Sequence, residues 1–374
     1  MKILLIDDKA NYGWKQLITK VFPFQEISID TALDYDSALN QIENKYDIIF
    51  LDVRLSAEDH DNKNVVEFSG FKILKVIRKE FTAINFSTPI ILLTATNKIW
   101  NIDAFRNYGV DAYYIKEHPN YIFDKETSKQ NYLNLKENFN RLLEEGNRRN
   151  EIWYLSKNII NKVSSHYYFK GDKKYENVKN RIIDKIKLGF VYLFKEQTQI
   201  EKDLLKTNNE ALAFIIYWSI LEEIIKGYTE YNTWDNMGNF LGSWKFRNKE
   251  YFVEKLNNGN LKVNISKNEG KHFVKNYIEY KQNDNNFKKY EDGYINLSEQ
   301  VYSLLAAYSK NIQDFNQKSR EFGKINSFRN NVDFIHSNIR NIYEKELINA
   351  QDLKEHYDYC KKNLKFIKSI LDLI

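Results

Sequence analysis

The sequence predicts an α/β region followed by a mainly α-helical region. Over the first third of the chain, short runs rich in Ile, Leu and Val alternate with amphipathic stretches. This alternation is typical of a doubly wound, five-stranded parallel sheet that is covered by helices on both faces. No proline lies beyond residue 119, which favours long helices in the remainder. A segment at about 244–294, rich in Gly, Asn and alternating aromatic residues, predicts a small β-ribbon insertion.

The elements of the first region follow one another in regular alternation. The predicted strands are Lys2–Ile6, Glu26–Asp30, Asp47–Asp52, Pro89–Thr94 and Asp111–Ile115. The predicted helices are Gly13–Val21, Tyr35–Glu43, Gly70–Glu80 and Lys98–Tyr108. In parallel sheets of this kind, ligands bind outside the carboxyl ends of the strands. The residues at those ends are therefore the first candidates for a functional site.

Beyond the sheet, apolar residues recur mainly at helical spacing. We predict three domains, at residues 1–122, 123–200 (a helical connector) and 201–374 (a helical output domain). In the last domain, a capping box formed by Thr207 and Glu210 opens a strongly apolar helix that Gly227 closes. Further helices are predicted near 297–320, 325–344 and 351–373.

Composition limits the classes of protein that fit this chain. Cys360 is the only cysteine among 374 residues, so an internal disulfide is excluded. The start shows no signal-peptide pattern, and the longest apolar run, Ala211–Leu221, is too short to span a bilayer. We therefore expect a soluble, cytoplasmic protein without membrane contact.

Charge is unevenly distributed along the chain. Residues 1–120 hold 14 Lys and Arg against 17 Asp and Glu, a formal charge of −3, which leaves +8 for the other residues. Any nucleic-acid contact is therefore expected from the later, basic part.

Polar residues stand at the ends of the predicted strands. Asp7 and Asp8 follow the first strand, Asp52 ends the third, Thr94 ends the fourth and Lys116 follows the fifth. Carboxylates at one rim repel one another unless a cation joins them, and hard oxygen ligands suit Mg²⁺. An ionised Asp52 can then attack phosphorus as a nucleophile. Lys116 and the Thr94 hydroxyl are placed to bind phosphoryl oxygens.

Four motifs resemble the signature set of response-regulator receiver domains of two-component signalling, which have a CheY-like, flavodoxin-like fold. They are Ile6-Asp7-Asp8, Phe50-Leu51-Asp52-Val53-Arg54, Leu92-Leu93-Thr94-Ala95 and Tyr113-Tyr114-Ile115-Lys116. The resemblance implies that a sensor histidine kinase phosphorylates Asp52. It also implies a metal site and a phosphate-binding switch. The metal ligands would be Asp7, Asp8, Asp52 and the backbone carbonyl of Arg54, and the switch residues Thr94, Ala95, Tyr113 and Lys116.

Two features depart from the receiver pattern. The segment 56–69 is about ten residues longer than is usual in the family, and long charged loops are commonly functional surface features. It is a candidate gate for kinase access or dephosphorylation. The family's lysine normally precedes a cis-proline, whereas Lys116 is followed by Glu117-His118-Pro119.

A second resemblance lies near the C-terminus. Arg329-Asn330, followed by His336, is similar to the R-x(4–6)-H motif of HEPN domains, which are all-helical and include metal-independent ribonucleases. On a helix Arg329 and His336 would share one face, about 10 Å apart along the axis. The resemblance implies a homodimer that cleaves RNA. His336 would act as general acid or base, Arg329 would stabilise the charged transition state and Asn330 would orient the substrate. No metal cofactor is expected in this domain.

Three functions remain open for the C-terminal region. The same Arg/His stripe could make salt bridges between helices without catalysis. The region would then be a switched adaptor for a protein partner. A DNA-binding regulator is the third alternative, although we find no helix-turn-helix pattern with a basic recognition helix.

Overall fold

The computed structural model describes residues 1–21, 26–60, 64–94, 99–116, 125–166, 169, 173–194, 209–232, 243–246, 252–255, 261–264, 297–331 and 350–374. The chain divides into two compact units, Met1–Tyr154 and Leu155–Ile374. The boundary falls inside one long helix, Lys125–Ser165. The predicted domain bounds at residues 122 and 200 stay predictions. Within the described ranges, no helix combines the length and the apolar character needed to cross a membrane.

The first unit contains the predicted five-stranded parallel sheet, in the order β2-β1-β3-β4-β5. Its strands are β1 Lys2–Ile6, β2 Ser28–Ala32, β3 Ile48–Asp52, β4 Ile90–Thr94 and β5 Ala112–Ile115. Each predicted strand differs from the observed one by at most two residues at either end. Strands β3 and β4 are buried along their whole length, as expected for a sheet covered on both faces.

Helices cover both faces of this sheet. A single π-helical turn, Ala10–Trp14, leads into the first helix. The helices are α1 Lys15–Val21, α2 Tyr35–Gln41, α3 Ser69–Lys79, α4 Ile99–Asn107 and α5 Lys125–Ser165. Because side chains alternate along a strand, Leu4 and Ile6 pack in one core and Ile3 and Leu5 in the other. The first core contains residues of α2, α3 and α4, and the second contains residues of α1 and α5.

The long segment after β3 is anchored by Asp59. It contains two short 3₁₀ turns, Ala57–His60 and Val65–Glu67. The Asp59 carboxylate is 3% exposed and accepts hydrogen bonds from the backbone amides of Leu55 (3.0 Å) and Ser69 (3.0 Å) and from the Ser69 hydroxyl. Burial alone would raise the pKa of Asp59, but these hydrogen bonds outweigh it and lower the pKa. One ionised carboxylate therefore joins the two ends of the segment, at Leu55 and Ser69.

Helix α5 is fixed to the first unit by polar contacts near its residue 150. Asn150 Oδ1 accepts hydrogen bonds from Lys45 Nζ (2.8 Å) and Ser87 Oγ (2.5 Å). Trp153 is 5% exposed, and its indole N–H donates to the carbonyl of Phe81 at 2.6 Å. These contacts lie within the unit Met1–Tyr154.

One carboxylate adds a charged contact to the same helix. Asp111 pairs with Arg149 of α5 at 2.6 Å and with Arg78 of α3 at 3.5 Å. All three side chains are largely buried, so solvent screens these pairs less than it would at the surface.

The second unit contains helices and a small sheet. The helices that follow α5 are α6 Lys173–Phe194, α7 Asn209–Tyr228, α8 Leu297–Tyr308, α9 Ile312–Asn331 and α10 Ala350–Leu373. Helix α7 packs against α6 and α10. A Cβ atom on Gly189 of α6 would lie 2.5 Å from the ring of Tyr217, so glycine permits the close approach of α6 and α7.

Two sequence predictions for these helices are wrong in detail. Gly227 does not end α7, which continues to Tyr228; it is needed instead because a Cβ there would lie 2.7 Å from the ring of Phe169. The predicted single helix at 297–320 is divided after Tyr308, and the helix that follows runs through the predicted break before residue 325. Asn311 accepts a hydrogen bond from the backbone amide of Asp314 (2.9 Å) and thereby starts a new helix. The predicted capping residue Thr207 lies outside the described residues.

Strands β6 Thr229–Asn232, β7 Ser243–Phe246, β8 Phe252–Lys255 and β9 Leu261–Asn264 form an antiparallel sheet in sequential order. The predicted ribbon at 244–294 overlaps three of them. Residues 265–296 lie outside the described ranges, so the ribbon over its full length remains a prediction.

The buried tryptophan of α5 generates the first testable prediction. Trp153→Ala should lower the free energy of unfolding of the first unit by about 3–5 kcal/mol, because it opens a cavity and removes the hydrogen bond from the indole to the Phe81 carbonyl. The matched control is Tyr154→Ala at the next position, where the side chain is 61% exposed and the loss should stay within about 0.5 kcal/mol. Denaturant unfolding of the full chain measures both variants, and equal losses would contradict the assigned role of Trp153.

Candidate functional site

Three carboxylates converge at the carboxyl edge of the parallel sheet. Asp7 follows β1 and Asp52 ends β3, and these two strands are neighbours in the sheet. One oxygen from each of Asp7, Asp8 and Asp52 lies within 4.8 Å of the others. Asp7 and Asp52 are buried, whereas Asp8 is exposed. Three hard oxygen ligands with one side open to solvent fit a Mg²⁺ ion that keeps some of its waters.

Lys116 provides the positive charge at this cluster. Its ammonium nitrogen lies 2.6 Å from a carboxylate oxygen of Asp7 and 2.5 Å from one of Asp52. Its backbone amide donates a 2.6 Å hydrogen bond to the carbonyl of Thr94, which holds residue 116 beside the end of β4. One ammonium therefore bridges two buried carboxylates.

Burial and charge set the protonation of these groups. Burial raises the pKa of Asp52 to about 6; Lys116 opposes this shift, and Asp7 and Asp8 add to it. Burial alone would lower the pKa of Lys116, but the carboxylates of Asp52 and Asp7 outweigh it and raise the pKa. Lys116 is therefore charged at neutral pH, while Asp52 ionises closer to neutrality than an ordinary aspartate.

Two of the predicted switch residues, Thr94 and Tyr113, lie on the last two strands of the sheet. Thr94 ends β4 and is 1% exposed. Tyr113 on β5 is 39% exposed, and the Arg106 guanidinium lies 5.8 Å from the centre of its ring. Ala95 lies outside the described residues.

The Arg54 side chain lies against an aromatic ring. Its guanidinium lies 4.7 Å from the ring centre of Phe68, at the end of the long segment after β3. The predicted metal ligand at this position is the backbone carbonyl, and that assignment stays a prediction.

Two residues near the cluster were not predicted from the sequence. A Cβ atom on Gly70 would lie 2.0 Å from the carbonyl oxygen of Asp52, so only glycine allows α3 to begin here. The ring of Trp14 lies 5.3 Å from the Lys116 ammonium. The position of Gly70 at the start of a predicted helix was a usable signal. Trp14 gave none, because its contact joins distant parts of the chain.

The second predicted site is described only in part. Arg329 lies in the last turn of α9, and its guanidinium lies 5.4 Å from the ring centre of Trp218. The neighbouring Phe328 stacks on Tyr359 of α10. For Asn330 only the backbone is described, and His336 lies outside the described residues. The proximity of Arg329 and His336 therefore remains a prediction.

Comparison with known proteins gives matches to response regulators. No protein-family model matches the chain. The response regulator ArlR of Staphylococcus saprophyticus is 28% identical over 116 residues, which cover 31% of this chain and 45% of that protein. ArlR of Staphylococcus aureus strain Mu50 is 27% identical over a stretch of the same length and coverage. The chain thus spans less than half the length of these relatives.

Solved structures of similar proteins are also response regulators or their receiver domains. A two-component response regulator from Clostridium difficile shares 29% identity, with 38% of this chain and 97% of that chain covered and a TM-score of 0.27. A CheY-like receiver domain from Methanospirillum hungatei JF-1 shares 19% identity, with 39% and 95% covered and a TM-score of 0.29. The curated relatives, the sheet order and the acidic cluster together identify the N-terminal part of this chain as a response-regulator receiver domain.

Proposed function

We propose that this protein is a two-component response regulator in which a sensor histidine kinase phosphorylates Asp52 and thereby controls the helical second unit. The observation that carries the proposal is the position of Lys116, which bridges Asp7 and Asp52 at 2.6 and 2.5 Å beside a third carboxylate. An aspartate in these surroundings is largely shielded from solvent. The ammonium beside it can pair with the phosphoryl group that the aspartate accepts.

The transfer follows from these groups. A carboxylate oxygen of Asp52 attacks phosphorus, an acyl phosphate bond forms, and the phosphorus–nitrogen bond to the kinase histidine breaks. The leaving imidazole keeps the electron pair and takes up a proton. Lys116 then pairs with a phosphoryl oxygen instead of with Asp52, and the Thr94 hydroxyl donates to another. Asp7, Asp8, Asp52 and the Arg54 carbonyl would hold Mg²⁺, which offsets the negative charge that meets at the site.

For the second unit, we propose the HEPN-like function as the first candidate: metal-independent RNA cleavage by a homodimer. What supports it is the sequence motif, with Arg329 as the transition-state stabiliser, Asn330 as the substrate-orienting residue and His336 as general acid or base. The second candidate is a non-catalytic adaptor. The contact of Arg329 with Trp218 favours it, because a guanidinium held against an indole can serve packing alone.

Phosphorylation is tested directly with a small-molecule donor. Incubation with acetyl phosphate and Mg²⁺ should attach one acid-stable, base-labile phosphoryl group, detected by intact-mass measurement or phosphate-affinity electrophoresis. Asp52→Asn should abolish the product. The control is Asp59→Asn, which replaces a second buried aspartate. This variant should still accept the phosphoryl group. Unmodified wild-type protein, or a product that persists in Asp52→Asn, would exclude Asp52 as the acceptor.

The raised pKa of Asp52 predicts a pH dependence of stability without metal. In the folded protein this carboxyl keeps its proton up to about pH 6, whereas in the unfolded chain it ionises near its ordinary pKa of 3.8. Its contribution to stability therefore falls as pH rises from about 4 to about 6 and stays low above that. Asp52→Asn should remove this loss and become more stable than wild type by about 1–3 kcal/mol at pH 7.5 in EDTA.

The control for this pH dependence is Asp34, whose pKa is shifted in the opposite direction. Asp34 caps α2 by accepting a hydrogen bond from the Ser37 amide, which lowers its pKa. Its stabilising effect is present above the unfolded pKa and lost at acid pH, so Asp34→Asn should not gain stability as pH rises. Thermal unfolding from pH 4 to 8 distinguishes the two aspartates. A gain for Asp52→Asn that is equal at pH 4 and pH 7.5 would contradict the argument.

The two candidates for the second unit are separated by one nuclease assay. If the HEPN-like function is right, wild-type protein should cleave single-stranded RNA in EDTA, and His336→Ala should reduce the rate by about 10²–10⁴-fold without changing thermal unfolding. His356→Ala removes another imidazole from the second unit and should leave cleavage intact. Cleavage by His336→Ala at the wild-type rate would remove His336 from the mechanism. If the wild-type protein cleaves no RNA, whether phosphorylated or not, the adaptor function is favoured.

A further inference from the structure

Lys116 has a third neighbour besides its two carboxylates. Its ammonium nitrogen lies 5.3 Å from the centre of the Trp14 ring, within the distance at which a cation is attracted to an aromatic face. The lysine stem has four carbon atoms and many rotamers, so each contact of the ammonium helps to fix its position. The indole adds a third contact to the two ion pairs.

Trp14 is itself held in place by the first unit. It ends the π-helical turn Ala10–Trp14 and packs edge-on against Tyr114, with ring centres 6.0 Å apart. Tyr114 is buried on β5, two residues before Lys116. The indole is therefore supported by the strand that directly precedes the lysine.

The turn that carries Trp14 is also tied to the acidic cluster. The Lys9 amide donates a 2.7 Å hydrogen bond to a carboxylate oxygen of Asp7, and the Ala10 amide donates a 3.0 Å bond to the Asp7 carbonyl. The backbone that positions Trp14 thus starts from one of the carboxylates that pair with Lys116. Asp7 therefore both pairs with Lys116 and anchors the turn that carries Trp14.

We propose that Trp14 is a positioning residue for phosphoryl transfer, which keeps the Lys116 ammonium directed at the site of the incoming phosphoryl group. The inference rests on the proposed function of Asp52. When Asp52 becomes phosphorylated, the Lys116–Asp52 pair is exchanged for a pair with a phosphoryl oxygen. The contact with Trp14 involves neither of those oxygens, so it supports the ammonium both before and after transfer.

Three variants of Trp14 and one control variant of Tyr12 test this role. Trp14→Phe keeps an aromatic face, whereas Trp14→Leu and Trp14→Met keep apolar volume without one. We expect Trp14→Phe to be phosphorylated by acetyl phosphate within about threefold of the wild-type rate, and Trp14→Leu about 3- to 30-fold more slowly. Trp14→Met replaces Trp14→Leu if the latter does not fold by circular dichroism. The control is Tyr12→Leu, which removes an 84% exposed ring from the same turn and should leave the rate unchanged.

A readout other than activity separates positioning from general damage. The ring current of Trp14 should shift the ε-proton resonances of Lys116 upfield, an effect that Trp14→Leu abolishes and Tyr12→Leu preserves. Mg²⁺ affinity should change less than twofold in Trp14→Leu, because Trp14 contributes no metal ligand. In a Lys116→Met background, adding Trp14→Leu should lower the phosphorylation rate no further.

The outcomes distinguish this inference from the proposed function. If wild-type protein is not phosphorylated, or if Asp52→Asn is, the proposed function fails. If Asp52 is phosphorylated but Trp14→Phe and Trp14→Leu react equally fast, the role of Trp14 is refuted. An equal loss from Trp14→Leu with and without Lys116 would refute it as well, because the effect would then not act through the lysine.

Discussion

The acidic cluster of the first unit depends on the ammonium of Lys116, which pairs with the carboxylates of Asp7 and Asp52. Two buried like charges a few ångströms apart would repel strongly, and the protein interior screens that repulsion poorly. A single cation reduces the repulsion but leaves the cluster negative. The remaining negative charge makes the edge of the sheet suited to a divalent metal, and the ammonium of Lys116 makes it suited to a phosphoryl group.

The parallel sheet is what brings these charges together. Asp7, Asp52 and Thr94 come from three strands that are far apart in the sequence but adjacent in the sheet. Since every strand runs in the same direction, every carboxyl end reaches the same edge. The two apolar cores on either side fix the strands, so the charged side chains need no contacts of their own to find one another.

Much of the first unit could be predicted from the sequence because its signals are local. Buried parallel strands are short continuous apolar runs, and the polar residue that ends each run marks the functional edge. The acidic cluster was therefore predicted, and the structure brings Asp7, Asp8, Asp52 and Lys116 together. Contacts between distant residues left no such signal. The contact between Trp14 and Lys116 depends on how separate segments pack.

The predicted helix boundaries in the second unit were wrong for a related reason. Glycine near the end of a helix commonly ends it, yet Gly227 packs closely against Phe169, and the helix ends one residue later, at Tyr228. The division after Tyr308 depends on hydrogen bonds of Asn311 and Asp314, residues that also occur in the middle of helices. A helical pattern in the sequence specifies which residues face inwards more reliably than where one helix stops and the next begins.

The contact between Gly70 and the main chain of Asp52 has a consequence for how this region can vary in length. Helix α3 begins directly against the carbonyl oxygen of the acceptor residue, with no side chain between them. Both ends of the segment that joins β3 to α3 are thereby fixed in space. Residues inserted into that segment must project outwards, as a surface appendage, while the helix and the acceptor keep their places. A receiver built in this way can acquire a new recognition surface next to its reactive carboxylate without rebuilding the chemistry.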